Sequence, residues 1–199
     1  MVNLTRVALL GSLIGVMAWA ALGQSNTAND RVEGKDMHGL IVYGQGFAFL
    51  ASEPNDWDTD TGQVAREYGV NAIFFPRAQS SRSHHVTIRV RLNSKTTEDP
   101  QQNMTFDMNQ YKKQYPSTQF TDLAVKHPDY PTATKLFYTR NEFYEYVAYV
   151  NPGSQFNLVF SVAMSKEKEA ATQDELAAFD HVLRSLKFVT QDVQGPPKQ

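Results

Sequence analysis

The chain of 199 residues contains no cysteine. This absence excludes disulfide bonds, thiolate metal sites and cysteine nucleophiles. It also excludes lipid attachment at a bacterial lipoprotein cysteine. The stability of the folded chain must therefore come from side-chain packing and noncovalent polar contacts.

An excess of charge of one sign is also lacking, because 19 Lys and Arg residues are set against 21 Asp and Glu residues. The formal net charge is −2. Nucleic-acid binding depends mainly on positive charge that neutralises phosphates. We therefore expect no nucleic-acid partner.

The familiar signatures of catalytic and phosphate-binding sites are missing as well. The sequence contains no Gly-x-Ser-x-Gly, no His-Glu-x-x-His and no glycine-rich loop of the phosphate-binding type. Asp56, Asp58 and Asp60 alternate in a predicted loop, but the spacing lacks the bidentate glutamate of a calcium loop. We therefore predict no catalytic residue, no metal and no cofactor. An envelope hydrolase or another enzyme with a dispersed active site is the alternative, since catalytic groups can lie far apart in sequence.

One long apolar segment is present, from Val7 to Leu22, and it follows Arg6. This order predicts a secretory signal peptide over residues 1–23, with small residues at Ala21 and Gly23 for the signal peptidase. The alternative is a retained anchor, but a spanning helix needs about 20 predominantly apolar residues. We expect export to the periplasm or the extracellular space, with membrane contact only through the transient signal peptide.

The remaining chain divides into three parts. Residues 24–37 are polar and rich in Asn, Asp and Glu, which predicts a flexible linker. Residues 190–199 contain Gly195-Pro196-Pro197 and no apolar periodicity, which predicts a disordered tail. Residues 38–189 are of ordinary length for one domain.

Strand patterns dominate this domain, and the short links between them favour antiparallel pairing. Thr172 and Glu175 form a capping box at the start of a C-terminal helix that carries an apolar stripe. The domain is therefore predicted to be α+β, an antiparallel sheet flanked by helices. The predicted strands are 40–43, 47–50, 72–75, 85–92, 120–125, 134–139, 143–150 and 156–164, and two further helices are predicted over 61–68 and 105–115.

The strand 85–92 alternates strictly between apolar and polar residues, which predicts one buried and one solvated face. His85, Arg89 and Arg91 share the predicted solvated face. Guanidinium groups bind carboxylates and phosphates in a bidentate manner, so these three residues are a candidate anion-binding strip. The alternative is a charged face that keeps the sheet soluble. His84 and His85 point to opposite faces of a strand, which argues against a shared metal ion.

Tyrosines cluster on the strands 134–139 and 143–150. Tyr144 and Tyr146 share one face of the second strand, whereas Phe143 and Tyr149 share the other. Tyrosine is enriched at binding hot spots. One face must be core, and the other is either covered by a helix, which we favour, or exposed. Tyr144 and Tyr146 are candidate partner-binding residues.

The segment Gly46-Phe47-Ala48-Phe49 leads to Pro54 and Trp57, and the run Leu158-Val159-Phe160-Ser161-Val162 precedes an apolar helix that ends in Ser185-Leu186-Lys187-Phe188. These segments resemble the PsbP-like fold group. The group includes photosystem II extrinsic proteins, Ran-binding import factors of the Mog type and many exported bacterial proteins. The resemblance implies an α/β/α sandwich and a non-catalytic role in binding or assembling larger proteins.

The sequence thus favours an exported, non-catalytic binding or assembly module. Its partner is an unknown protein or a small anionic ligand. The candidate contacts are His85, Arg89, Arg91, Tyr144 and Tyr146. If Arg89 and Arg91 lie on a solvated face, replacing both with glutamate leaves the melting temperature nearly unchanged.

Overall fold

The computed structural model describes residues 31–34, 37–44, 47–77 and 85–189. The predicted signal peptide (1–23) and the predicted tail (190–199) lie outside the described residues. Within these four ranges, no helix is both long enough and apolar enough to cross a membrane.

The described elements are eleven strands and three helices. In chain order they are β1 (Arg31–Gly34), β2 (Met37–Gly44), β3 (Phe47–Ser52), β4 (Trp57–Asp60), α1 (Gln63–Glu67), β5 (Ala72–Pro76), β6 (Val86–Ser94), α2 (Pro100–Gln114), β7 (Gln119–Asp122), β8 (Thr132–Thr139), β9 (Phe143–Val150), β10 (Leu158–Glu167), α3 (Gln173–Ser185) and β11 (Lys187–Val189).

The strands form two antiparallel sheets. A seven-stranded sheet has the order β4-β5-β6-β10-β9-β8-β7, and a four-stranded sheet has the order β1-β2-β3-β11. The predicted α+β class, with helices flanking an antiparallel sheet, is confirmed. The sequence patterns predicted one sheet, whereas the predicted hairpin, now β2 and β3, belongs to the smaller sheet.

The main core lies between the two sheets, against what we call the inner face of the seven-stranded sheet. Phe49 of β3 meets Phe160 of β10 edge to face, with ring centroids 5.3 Å apart. α3 covers a further part of the inner face, since Phe179 and Leu183 are fully buried in the same core. The predicted capping box is confirmed, with the Thr172 side chain accepting from the Glu175 backbone and the Glu175 side chain accepting from the Thr172 backbone.

The outer face of the seven-stranded sheet carries α2 over β8 and β9. Met104 of α2 is fully buried there, in a second apolar cluster with Phe143, Val147 and Tyr149 of β9. Tyr146, on the opposite face of the same strand, belongs to the main core. The prediction that both faces of this strand are covered is therefore confirmed.

Several elements differ from the sequence prediction, including β11, which begins at Lys187 where the apolar C-terminal helix was expected to continue to Phe188. β1 lies inside the predicted linker 24–37. It pairs with β2, with Arg31 opposite Leu40 at one end and Gly34 opposite Met37 at the other. β4 is a strand where Asp58 and Asp60 were expected to lie in a loop. α2 begins at Pro100 instead of Thr105, because the Asp99 side chain accepts a hydrogen bond from the Gln101 backbone and proline suits the first helical turn.

Candidate functional site

Arg89 is buried, with 7% of its surface exposed, so the expectation that it lies on a solvated face is wrong. On the outer face the neighbouring strand β10 carries Ala163 beside Arg89 and Ser165 one position further along that face. These small side chains leave room for the long arginine to extend over β10 towards Glu145 of β9. His85 is exposed and Arg91 is half-buried, so the three residues do not form one open strip.

Glu145, also buried, is the centre of a polar cluster on this face. Arg89 Nη2 donates to Glu145 Oε1 at 2.8 Å and also to the Ser165 hydroxyl. Ser165 Oγ donates to the same carboxylate oxygen at 3.0 Å. Tyr111 of α2 donates to the second oxygen, Glu145 Oε2. The carboxylate is thus held by β6, β10 and α2 together.

A second carboxyl group, that of Asp107, joins the cluster from α2. Tyr149 of β9 donates its hydroxyl to Asp107 Oδ2 at 2.5 Å. We use the name carboxylate cluster for the whole set. Its members are Arg89, Asp107, Tyr111, Glu145, Tyr149 and Ser165.

Burial shifts the ionisation of these groups. It raises the pKa of Glu145, while the positive charge of Arg89 acts in the opposite direction. Burial raises the pKa of Asp107 to about 6; the Tyr149 hydrogen bond opposes this change and the charge of Glu145 adds to it. The pKa of Tyr149 is raised, first by burial and then by Asp107, so its hydroxyl stays protonated and donates.

A carboxyl group that titrates near pH 6 has the proton affinity of a general acid. In this cluster, however, Glu145 is held by Arg89 and Asp107 by Tyr149, so both carboxyls already have internal partners. The described residues also contain no group of three or more side chains placed to hold a metal ion. The geometry is that of a polar network joining α2 to the sheet.

The two predicted tyrosines occupy different environments. Tyr146 is buried, and its hydroxyl accepts from the Ala171 backbone at 3.0 Å, so it belongs to the core and not to a contact surface. Tyr144 is half-buried and stacks on Tyr138, with ring centroids 5.8 Å apart and planes 5° apart. Tyr138 in turn donates its hydroxyl to Gln119 Oε1 at 2.6 Å.

These side chains define a tyrosine shoulder, consisting of Gln119, Leu136, Tyr138 and Tyr144. The register places Gln119 opposite Tyr138 and Tyr138 opposite Tyr144, in one row across the inner face. Leu136 and both tyrosines are half-buried, and Gln119 is exposed. The sequence placed Tyr138 and Tyr144 in one tyrosine cluster, but it could not predict their stacking, because the pairing depends on the register of β8 and β9.

No protein-family model matches this chain, and no curated protein matches it. The PsbP-like resemblance therefore stays a prediction that depends on the quoted segments. The function must be argued from the carboxylate cluster and the tyrosine shoulder.

His127 is a buried residue whose role the sequence did not reveal. Its Nδ1 accepts from the backbone of Asp129 at 3.1 Å and of Tyr130 at 3.2 Å. Nε2 therefore carries the proton and donates to the Leu186 carbonyl at 2.8 Å. The ring also stacks on Tyr130, with centroids 4.4 Å apart. His127 thus fastens the loop between β7 and β8 to the end of α3, and neither ring nitrogen is open to a metal ion.

We expect His127→Ala to lower the free energy of unfolding by about 1–3 kcal/mol at pH 7.5, because buried polar partners lose their hydrogen bonds. Burial lowers the pKa of His127 below its ordinary value of 6.5. The unfolded chain therefore binds the proton first, and the stability that His127 provides falls as the pH falls below about 6.5.

Urea unfolding at pH 7.5 and pH 5 measures this effect. The difference in the free energy of unfolding between wild type and His127→Ala, called the gap below, should be smaller at pH 5. His181→Ala is the control, because His181 is exposed on α3, and its gap should be small at both pH values. An equal His127 gap at the two pH values would contradict the prediction.

Proposed function

We propose that the protein is an exported, non-catalytic binding or assembly module, and that a protein partner contacts the tyrosine shoulder. The observation that carries this proposal is the stacked pair Tyr138 and Tyr144, half-exposed beside the exposed amide of Gln119. Tyrosine provides a large apolar contact area and a polar tip with little loss of side-chain entropy.

A protein partner is favoured over a small anion. The anion-binding hypothesis depended on His85, Arg89 and Arg91 lying together on a solvated face, and Arg89 is instead engaged with Glu145. The shoulder supplies apolar and amide groups, which suit a polypeptide surface. The predicted signal peptide and the PsbP-like resemblance support an assembly role outside the cytoplasm.

The test is quantitative capture of partners from the envelope fraction of the source cells, with the exported chain as bait. Replacing both Tyr138 and Tyr144 with serine should reduce recovery of the specific partner tenfold or more, since hot-spot residues contribute about 2 kcal/mol each. Circular dichroism must show that the variant remains folded.

Tyr68→Ser is the matched control, because Tyr68 is an exposed tyrosine at the end of α1, with 42% of its surface accessible. Its recovery should equal that of the wild type. If the serine double variant recovered as much partner as the wild type, the shoulder would not be part of the interface. Failure of the wild-type chain to capture any envelope protein reproducibly would contradict the binding role itself.

A further inference from the structure

Two tyrosine–carboxyl hydrogen bonds join α2 to β9, and they run in opposite directions. Tyr111 of α2 donates to Glu145 of β9, and Tyr149 of β9 donates to Asp107 of α2. Residues four apart lie on one face of a helix and also on one face of a strand. The helix and the strand therefore present the same pair of groups, a carboxyl and a phenol, to each other. We name these four residues the α2 clasp.

The two carboxyls of the α2 clasp differ in the charges and hydrogen-bond donors that surround them. Glu145 faces the guanidinium of Arg89 and accepts a further bond from Ser165. Asp107 accepts the hydroxyl of Tyr149, and the charge that acts on it is the negative charge of Glu145. A negative charge on Asp107 is consequently desolvated and repelled, whereas a neutral carboxyl is not.

We propose that ionisation of Asp107 loosens α2 from the seven-stranded sheet, so that the docking of this helix depends on pH. Neutral Asp107 keeps the Tyr149 bond without the cost of a buried charge. Ionised Asp107 gains solvation when α2 moves outward, and this movement also separates it from Glu145.

The charged and titratable groups around Asp107 are consistent with loosening of α2 when Asp107 ionises. On the packed elements they are Tyr111 of α2, Glu145 and Tyr149 of β9, Arg89 and Arg91 of β6, and Lys135 of β8. Arg89 is paired with Glu145, and Lys135 is paired with Asp122 of β7 at 2.5 Å. The charge of Arg91 lowers the pKa of Tyr149, against the larger effect of burial.

The direction in which stability changes with pH follows from the pKa of Asp107, which burial raises from 3.8 to about 6. The folded chain binds this proton more tightly than the unfolded chain does. The contribution of Asp107 to stability is therefore complete below about pH 3.8 and is lost as the pH rises through 6. This direction is opposite to that of His127.

Loosening of α2 has a structural consequence. The helix covers the second apolar cluster, in which Met104 and Phe137 are fully buried. An outward movement of α2 would bring water or a partner to these side chains. The clasp thus links the proton concentration of the compartment to the exposure of an apolar surface distinct from the tyrosine shoulder.

Amide hydrogen exchange of the intact chain, corrected for intrinsic rates, tests the proposal. Protection of the amides from Met104 to Gln114 should fall by about tenfold between pH 5 and pH 7.5, which is the largest fall that a pKa of 3.8 for solvated Asp107 and of about 6 for docked Asp107 allows over this range. Unchanged protection of α2 in the wild type would overturn the proposal.

Two variants identify the group responsible. Asp107→Asn keeps an acceptor for Tyr149 but cannot ionise, so it should abolish the fall in α2 protection. Tyr149→Phe removes the hydrogen bond that lowers the pKa of Asp107, so the midpoint of the fall should move to higher pH. A midpoint that is unchanged in Tyr149→Phe, or a fall that persists in Asp107→Asn, assigns the transition to another group and refutes the proposal.

Discussion

Replacement of Glu145 by alanine is expected to lower the free energy of unfolding by about 3–5 kcal/mol. Both partners of the Arg89–Glu145 ion pair are almost fully buried, with 7% and 6% of their side-chain surface accessible. Removal of the carboxylate takes the Glu145 charge away from the desolvated Nη2 of Arg89 and deprives Tyr111 of its acceptor. Urea unfolding followed by circular dichroism at pH 7 measures the loss.

A double variant separates the cost of an unpaired charge from the value of the pair. Arg89→Met with Glu145→Leu replaces both charges by apolar groups of similar size, and it should be markedly more stable than Glu145→Ala alone. Asp180→Ala is the surface control, because its pair with the exposed Arg184 should contribute less than about 1 kcal/mol. A loss for Glu145→Ala as small as that of the control would mean that Arg89 is solvated after all.

The same geometry reverses the expectation for the charge-reversal variant. Arg89→Glu with Arg91→Glu was expected to be neutral, on the assumption that both residues lie on a solvated face. Because Arg89 Nη2 lies 2.8 Å from Glu145 Oε1, a glutamate at position 89 would place two carboxylates in a buried site. We now expect a loss of several kcal/mol, of the kind caused by buried unpaired charge.

Phe179→Ala should lower the free energy of unfolding by about 3–5 kcal/mol. Phe179 is fully buried in α3, packed in the main core, with its ring centroid 6.4 Å from that of Tyr146. The truncation leaves a cavity between the helix and the inner face of the sheet. Thermal and urea unfolding measure the loss.

Leu176→Ala is the matched control for this variant, since Leu176 lies on the same helix but is only half-buried. It should lose clearly less stability than Phe179→Ala. A near-zero change in the free energy of unfolding for Phe179→Ala would show that α3 is not anchored in the core.

Local patterns in the sequence predicted the elements that depend on neighbours in the chain. The strand Phe143–Val150 has the bounds that its aromatic and apolar run predicts. The capping box at Thr172 and Glu175 and the buried stripe of α3 are likewise properties of residues three or four apart. For these elements the hydrogen-bond partner or the buried face is encoded within one turn or one strand.

The environment of the candidate site residues, by contrast, was not predictable from local patterns. Arg89 was assigned to solvent because alternation identifies two faces of a strand but cannot show what covers the second one. Its counter-charge lies 56 positions away in the sequence, and the room for its side chain comes from Ala163 on a third strand. The fastening of the loop by His127 depends in the same way on a carbonyl 59 positions away.

Composition and periodicity by themselves determined a cysteine-free α+β domain with antiparallel strands and a capped, amphipathic C-terminal helix. Tertiary structure alone decided that the strands divide into two sheets, with β11 returning to pair with β3. It also decided that α2 closes over the outer face and brings Asp107 and Glu145 together. The physical reason is that burial and pKa depend on what surrounds a group in space, and the groups that surround these carboxyls come from α2, β6, β9 and β10.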